Sequence, residues 1–228
     1  MHIYVSGGSG RNGRLAIDAA LQNGHSVTAL VRDHASLRAH PRLTVLQGSP
    51  TAQPNVEAAL RTPLPPAAII TALNPRRTSE NPFSPLAPDS PPDLLARTAR
   101  VLLAALDRVS PSHRRQQPKI VVNSSLGVGA SWHAMAWPTR LLFRYSTMRL
   151  TLRDHDDMDL LVRRSGRPFV LARPARLVDG VARHVKALPD DGSGCGWNPT
   201  ITRSSVAGWL VTAAESSQWD GKSPVLVN

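Results

Sequence analysis

The chain has 228 residues, 41 % hydrophobic and 19 % charged, with 27 Lys and Arg against 16 Asp and Glu for a net charge of +11. This length fits one α/β domain with a small appended lobe, and no stretch approaches the roughly 20 apolar residues of a membrane span. A lone cysteine, Cys195, rules out an internal disulfide, and no charged-then-apolar leader precedes the first strand, so the expected location is a reducing cytoplasm.

The first predicted strand, His2-Ile3-Tyr4-Val5-Ser6, runs into Gly7-Gly8-Ser9-Gly10-Arg11-Asn12-Gly13 and then a helix over 11–23 that stops at Gly24. Glycines at 7, 10 and 13 between a strand and a helix are the fingerprint of a dinucleotide-binding turn. They allow a tight turn, close approach of backbone to a pyrophosphate, and close packing of helix on strand. Gly8 to Gly13 also has the spacing of a nucleotide-triphosphate loop, but Arg14-Leu15 stands where that loop needs Lys-Ser/Thr. The cofactor contacts expected from this turn are Gly7, Gly10, Arg11, Asn12 and Gly13.

Further strands are predicted at 26–31, 43–46, 67–72, 119–124, 169–172 and 224–227, with helices at 93–108, 139–165 and 204–215. Strands alternating with helices predict a doubly wound parallel sheet of the Rossmann type. The whole chain, 1–228, reads as a single NAD(P)-binding domain, with residues 178–199 forming a small C-terminal substrate lobe. In the last helix Val206, Trp209, Leu210, Ala213 and Ala214 recur at helical spacing and form a core face.

Arg32 and Asp33 follow the second strand, where the adenosine ribose sits in such folds. An acid there binds the 2′-hydroxyl, whereas an arginine pairs with a 2′-phosphate, so Arg32 points to NADP(H). Asp33 competes with that reading only if it does not simply start the next element, and Arg38 is a second basic candidate. Thr71, Ala72 and Leu73, after the fourth strand, are placed beneath the cofactor ribose. Residues 74–93 carry six prolines and predict an irregular loop covering substrate at the sheet's C-terminal edge.

The arginine pairs Arg76-Arg77, Arg114-Arg115 and Arg163-Arg164 are scattered, aromatic residues are few, and no nucleic-acid motif is present. The excess charge is therefore assigned to a basic surface that attracts anionic ligands, NADPH among them. The histidines show no metal-ligand spacing and no Cys/His cluster exists, so no metal is expected. No Gly-x-Ser-x-Gly elbow occurs, which argues against an α/β-hydrolase. Cys195 reads as incidental.

Together Gly7 to Gly13, Leu30-Val31-Arg32-Asp33, Ser124-Ser125-Leu126-Gly127, Asp154-His155 and Arg173-Pro174-Ala175-Arg176-Leu177 resemble the atypical short-chain dehydrogenase/reductases over nearly the whole chain. The layout is similar to the flavin and biliverdin-IXβ reductase branch. That resemblance implies NADPH as reductant, Ser124 and Pro174 beside the cofactor, and Ser125 holding the acceptor oxygen. The Tyr-x-x-x-Lys pair of the wider family is absent: Thr151 falls on the tyrosine position and His155 on the lysine position. His155 is thus a candidate proton relay in the neutral pKa range, unless it is a structural histidine bonded to Asp154 or a backbone carbonyl. Tyr145, in Tyr-Ser-Thr-Met-Arg149, imitates the pair in an earlier register and is the third catalytic candidate; its other reading is a buried helix residue.

The proline-rich loop, from Asn74-Pro75-Arg76-Arg77 through Asn81-Pro82-Phe83 to Ser90-Pro91-Pro92, resembles averufin-oxidase-like oxidoreductases of fungal polyketide clusters. This implies a flat aromatic polyketide of anthraquinone or xanthone type as substrate, with Trp132, Trp137 and Phe83 as stacking candidates. Alternatives on the same fold are a non-redox isomerase or epoxide-opening enzyme and a dinucleotide-binding redox sensor. The expected partner is a small aromatic molecule, with neither nucleic acid nor membrane, and the sequence leaves a homodimer open.

Overall fold

A computed structural model describes residues 1–79, 81–109 and 117–228. The pair Arg114-Arg115 falls outside the described residues, as does Glu80 within the proline-rich loop. Strands β1 (His2–Ser6), β2 (Ser26–Val31), β3 (Leu43–Gln47), β4 (Ala68–Thr71), β5 (Lys119–Asn123), β6 (Phe169–Pro174) and β10 (Val225–Val227) lie side by side in parallel. A further strand, β8 (Lys186–Leu188), closes the edge antiparallel to β10. The order β3-β2-β1-β4-β5-β6-β10-β8 reverses direction between β1 and β4, and such reversal points are where ligands bind in open α/β sheets.

Alternation along the strands builds two cores from one sheet, because successive side chains point to opposite faces. Ile3, Val5, Val27, Ala29, Ile70, Val121 and Val170 pack under α1 (Arg11–Gln22) and α6 (Arg203–Glu215). Tyr4, Leu30, Ile69, Ile120, Val122 and Leu171 pack on the other face, under α2 (Gln53–Arg61), α3 (Leu94–Val109) and α5 (Met148–Arg164). Helix α6 buries all five residues of its predicted face.

Three expectations change. Helix α2 had no place in the predicted series, although Val56, Ala59 and Leu60 bury one face of it. The helix predicted over 139–165 is two helices, α4 (Trp137–Tyr145) and α5, broken at Ser146-Thr147, where the Thr147 hydroxyl donates to the Pro82 and Ser84 carbonyls at 2.7 Å. The segment 178–199 is only partly a separate lobe. Strand β8 extends the main sheet, while the short strands β7 (Arg176–Val178) and β9 (Thr200–Thr202) pair in parallel beside it.

Helix α3 starts where the proline-rich loop ends, and Asp154 of α5 fixes that start. Its two carboxylate oxygens accept the Leu95 and Ala96 N–H groups, both at 2.8 Å. These are donors that the helix cannot satisfy internally. Burial pushes the Asp154 carboxyl above its ordinary range, and the two backbone donors oppose that rise. Replacing Asp154 by Ala should cost about 1–3 kcal/mol of stability. The expected result in urea unfolding is a lower midpoint with an unchanged slope.

Candidate cofactor and substrate site

The turn after β1 lies against the end of β4. The Ala72 N–H donates to the Ser6 carbonyl at 2.9 Å. Gly7 has φ +86°, a left-handed conformation that favours glycine, and a Cβ there would meet the Ala72 carbonyl carbon and oxygen at 2.9 Å. Gly13 carries the closest approach: a Cβ on it would stand 2.1 Å from the Gly7 carbonyl oxygen. Gly10 is different. It is the N-cap of α1 with φ −74°, and a Cβ would lie 3.3 Å from Gly7 O. A side chain there would press on backbone without the outright collision that Gly13 faces.

No side chain caps α1, and its first turn holds no acid. Helix N-termini carry a partial positive charge and outward N–H groups that suit phosphate. Arg11 and Asn12 occupy the first two helical positions, Arg11 exposed and Asn12 half-buried.

Beside the turn, the Thr71 Oγ1, Asn123 Oδ1 and Ser124 Oγ atoms are buried without hydrogen-bond partners among the described residues. They sit at or just past the ends of neighbouring strands β4 and β5. Buried polar groups are nearly always paired, so unpaired ones at a sheet's C-terminal edge fit a site that a polar ligand or water completes. An internal cavity of about 20 Å³, enough for roughly one water, adjoins Thr71 and Asn123 under α3 and α5. Ala72 is buried, Leu73 half-buried, and Pro174 is buried with its carbonyl accepting from Leu126 N at 2.9 Å.

At the end of β2, Asp33 caps a short turn over His34–Ser36 by accepting the Ala35 N–H at 3.0 Å. It is therefore turned to local structure, which leaves Arg32 as the charge at that strand end. Arg32 Nη1 donates to Asp89 of the proline-rich loop at 2.9 Å, and Arg38 is exposed.

That loop is more ordered than its prolines suggest. Arg77 and Leu86 form an antiparallel bridge, and Ala87 N donates to Arg76 O at 2.9 Å. Arg77 Nη2 reaches Thr151 Oγ1 of α5 at 2.9 Å, and Thr147 holds the loop tip. Phe83 at that tip is 60 % exposed, and Trp137 and Tyr145 on α4 are 62 % and 71 % exposed. Trp132 instead packs half-buried against the core.

Two catalytic candidates change character. Tyr145 is exposed rather than buried, and the helix break puts it on α4 while Arg149 lies on α5, so they are not one helical turn apart as the motif requires. His155 is buried at 3 % exposure, its Nδ1 is unpaired among the described residues, and burial lowers its pKa to about 4 against a weaker opposing pull from Asp159. The imidazole is neutral at physiological pH, outside the neutral titration range expected of a relay. The Asp154 partnership also fails, because that carboxylate is spent on α3. The phase of α5 was the readable signal: Thr151, His155, Met158 and Val162 share its buried face.

Ser125 is half-buried after β5, its hydroxyl donating to Leu126 O at 3.0 Å. Leu126 approaches Gly192, whose loop, with Ala130, His133, Ala134 and Cys195, lines an open cleft of about 350 Å³. Burial pushes the Cys195 thiol up, away from the thiolate a nucleophile needs. Among the described residues no group of three or more His, Cys, Asp or Glu could hold a metal, and no helix is long and apolar enough to cross a membrane.

A sequence profile for NAD(P)H-binding proteins matches residues 7–217, so the chain belongs to the NAD(P)H-binding family. Similar solved structures include an anaerobilin reductase from Escherichia coli O157:H7, at 18 % identity and TM-score 0.76, covering 100 % of this chain and 97 % of that one. A short-chain dehydrogenase/reductase from Veillonella parvula in complex with NADP has 12 % identity and TM-score 0.75, with coverage of 100 % and 94 %. An oxidoreductase from Lactococcus lactis has 13 % identity and TM-score 0.72, with coverage of 100 % and 91 %. At these identities the likeness is one of fold. No curated protein matches the chain significantly by sequence.

The glycines separate two roles that substitution should resolve. Gly10→Val should abolish dinucleotide binding with native circular dichroism and a small drop in melting temperature, whereas Gly13→Ala should lower the melting temperature much further because a backbone carbonyl must move. A Gly10→Val protein that still binds the dinucleotide excludes the turn from the cofactor site.

The His155 shift also has a sign. Its folded pKa of about 4 lies below the ordinary histidine value of 6.5, so between these values the unfolded chain binds the extra proton. Its contribution to stability is fully present above about pH 6.5 and falls as pH drops to 4, by up to about 3 kcal/mol. Unfolding free energies of native protein and His155→Gln across pH 4–7 should converge in slope everywhere except this window.

Proposed function

We propose that the protein is an NADPH-dependent oxidoreductase that reduces a flat, conjugated carbonyl or quinone substrate of aromatic polyketide type. The observation carrying the cofactor choice is the end of β2, where Asp33 is committed to capping and Arg32 is left to meet the ribose. A guanidinium fork pairs with a phosphate and gains little from a hydroxyl. The glycine turn and the uncapped start of α1 fit the pyrophosphate, and the unpaired atoms on Thr71, Asn123 and Ser124 fit polar parts of the cofactor or its waters.

When bound, the dihydronicotinamide supplies a hydride. The protein's own part is to position the acceptor: the Ser125 hydroxyl turns from Leu126 O to donate to the acceptor oxygen as negative charge grows there. With His155 neutral and enclosed, solvent entering the open cleft supplies the proton. The exposed Phe83 and Tyr145, each within two residues of the Thr147–Pro82 anchor of the loop, and the exposed Trp137 at the start of α4 support a planar aromatic substrate. The polyketide class rests on the resemblance carried by the proline-rich loop alone. A non-redox acid–base route on this fold needs a side chain titrating near neutrality, and the burial of His155 disfavours it in that role.

Oxidation of NADPH followed at a panel of phenolic quinones tests the reading, and no turnover with any acceptor would sink it. Arg32→Ala should weaken NADPH binding by one to two decades, about 1.5–3 kcal/mol, with little change for NADH. Equal native affinity for the two cofactors defeats the NADP(H) assignment. Ser125→Ala should lower kcat by about ten- to a hundredfold, and the native kcat profile should be flat from pH 6 to 8.

A further inference from the structure

One ionic contact joins the proline-rich loop to the end of β2. Asp89 Oδ2 accepts from Arg32 Nη1 at 2.9 Å and from Arg76 Nη2, so both guanidinium groups converge on a single oxygen. The three side chains are 49 % (Asp89), 59 % (Arg32) and 57 % (Arg76) exposed, and so this carboxylate is not filling a hole in the core. The two arginines hold the Asp89 carboxyl below its ordinary range.

Two arginines with ten N–H donors between them are served poorly by one carboxylate oxygen. A phosphomonoester brings up to two charges and three oxygens to the same place, and a ribose hydroxyl brings none. Arg76 comes from the loop and Arg32 from the end of the sheet, so the anion that lies between them sets whether Asp89 adds its own tie on the loop's second arm. Arg76 itself does not depend on Asp89 for its position, because its N–H donates to the buried Ser90 Oγ at 2.8 Å. The far end of the loop has its own anchors at Thr147 and Thr151.

We propose that Asp89 is an internal stand-in for the adenosine 2′-phosphate: its carboxylate occupies an Arg32–Arg76 anion subsite until a phosphate displaces it, which frees the loop at that point. The proposal rests on the NADP(H) reading of Arg32 and adds Arg76 and Asp89 as specificity residues. A ligand carrying the 2′-phosphate must displace the carboxylate, so its apparent affinity is reduced by the fraction of molecules in which the subsite is occupied. A ligand without that phosphate leaves Asp89 in place and does not sense it.

Calorimetry with adenosine 2′,5′-bisphosphate and with AMP, on native protein and Asp89→Asn at one ionic strength, tests this. Asp89→Asn should bind the bisphosphate about fivefold or more tighter, with AMP affinity unchanged within about twofold on the same scale. Arg76→Ala in the Asp89→Asn background should reverse the gain. In the native protein the bisphosphate, but not AMP, should speed hydrogen exchange at the Ala87 amide. Unchanged or weaker bisphosphate binding by Asp89→Asn overturns the proposal. If the native chain fails to distinguish the two probes while Asp89→Asn distinguishes them, the native NADP(H) preference falls and the subsite stands. If neither protein distinguishes them, both fall.

Discussion

Everything at the sheet's ligand-binding edge depends on how closely α1 approaches the turn that precedes it. The space between Gly13 and the Gly7 carbonyl admits no side-chain carbon at all. That contact sets the axis of α1, and with it the direction of the unpaired N–H groups at its start. The same helix packs on α6 across the sheet's first core, through small residues such as Ala16 and Ala20. Fixing one glycine pair therefore orients a helix, and the helix locks the position of the last crossover. Gly7 also brings Ala72 alongside, which places the end of β4 in the same site.

The second constraint is the clamp between α3 and α5. Asp154 satisfies the start of α3, while the adjoining face of α5 carries Thr151, His155 and Met158. The proline-rich loop enters from β4, touches Arg32, Thr147 and Thr151, and leaves into that clamped helix. Its course is set by polar contacts at its margins, and its aromatic tip remains in solvent. Several arginines are held in such local pairings: Arg163 bonds Asp159 and Ser223 and lies over the Phe169 ring, and Arg173 is buried against Asp159 at 2.8 Å.

Features governed by local pattern were readable in the sequence. Alternating strands, the glycine turn, the core face of α6 and the capping role left open for Asp33 all follow from neighbours within a few positions. Helix α2 carried a signal too, in the spacing of Val56, Ala59 and Leu60 after Pro54, but its single narrow face was easily passed over. The break at Ser146-Thr147 was not readable, since no glycine or proline marks it and the competing hydrogen bonds come from Pro82 and Ser84, over sixty positions away. Likewise Asp89 meets Arg32 across 57 positions. The inward position of His155 was readable in the helical phase it shares with Thr151, Met158 and Val162, whereas the low pKa that follows from full enclosure depends on packing from other elements.

The Asp154 clamp has a consequence for how such chains diversify. Because α5 holds the start of α3 alongside the last residues of the loop, Pro91 and Asp93, the outer part of that loop can gain or lose residues without disturbing the helix that follows. Loop-closure entropy grows only slowly with length, so such changes are thermodynamically mild. The aromatic tip can then drift in sequence while the glycine turn and its dinucleotide geometry stay fixed. The loop tip and the dinucleotide turn are in this way free to evolve at different rates within one chain.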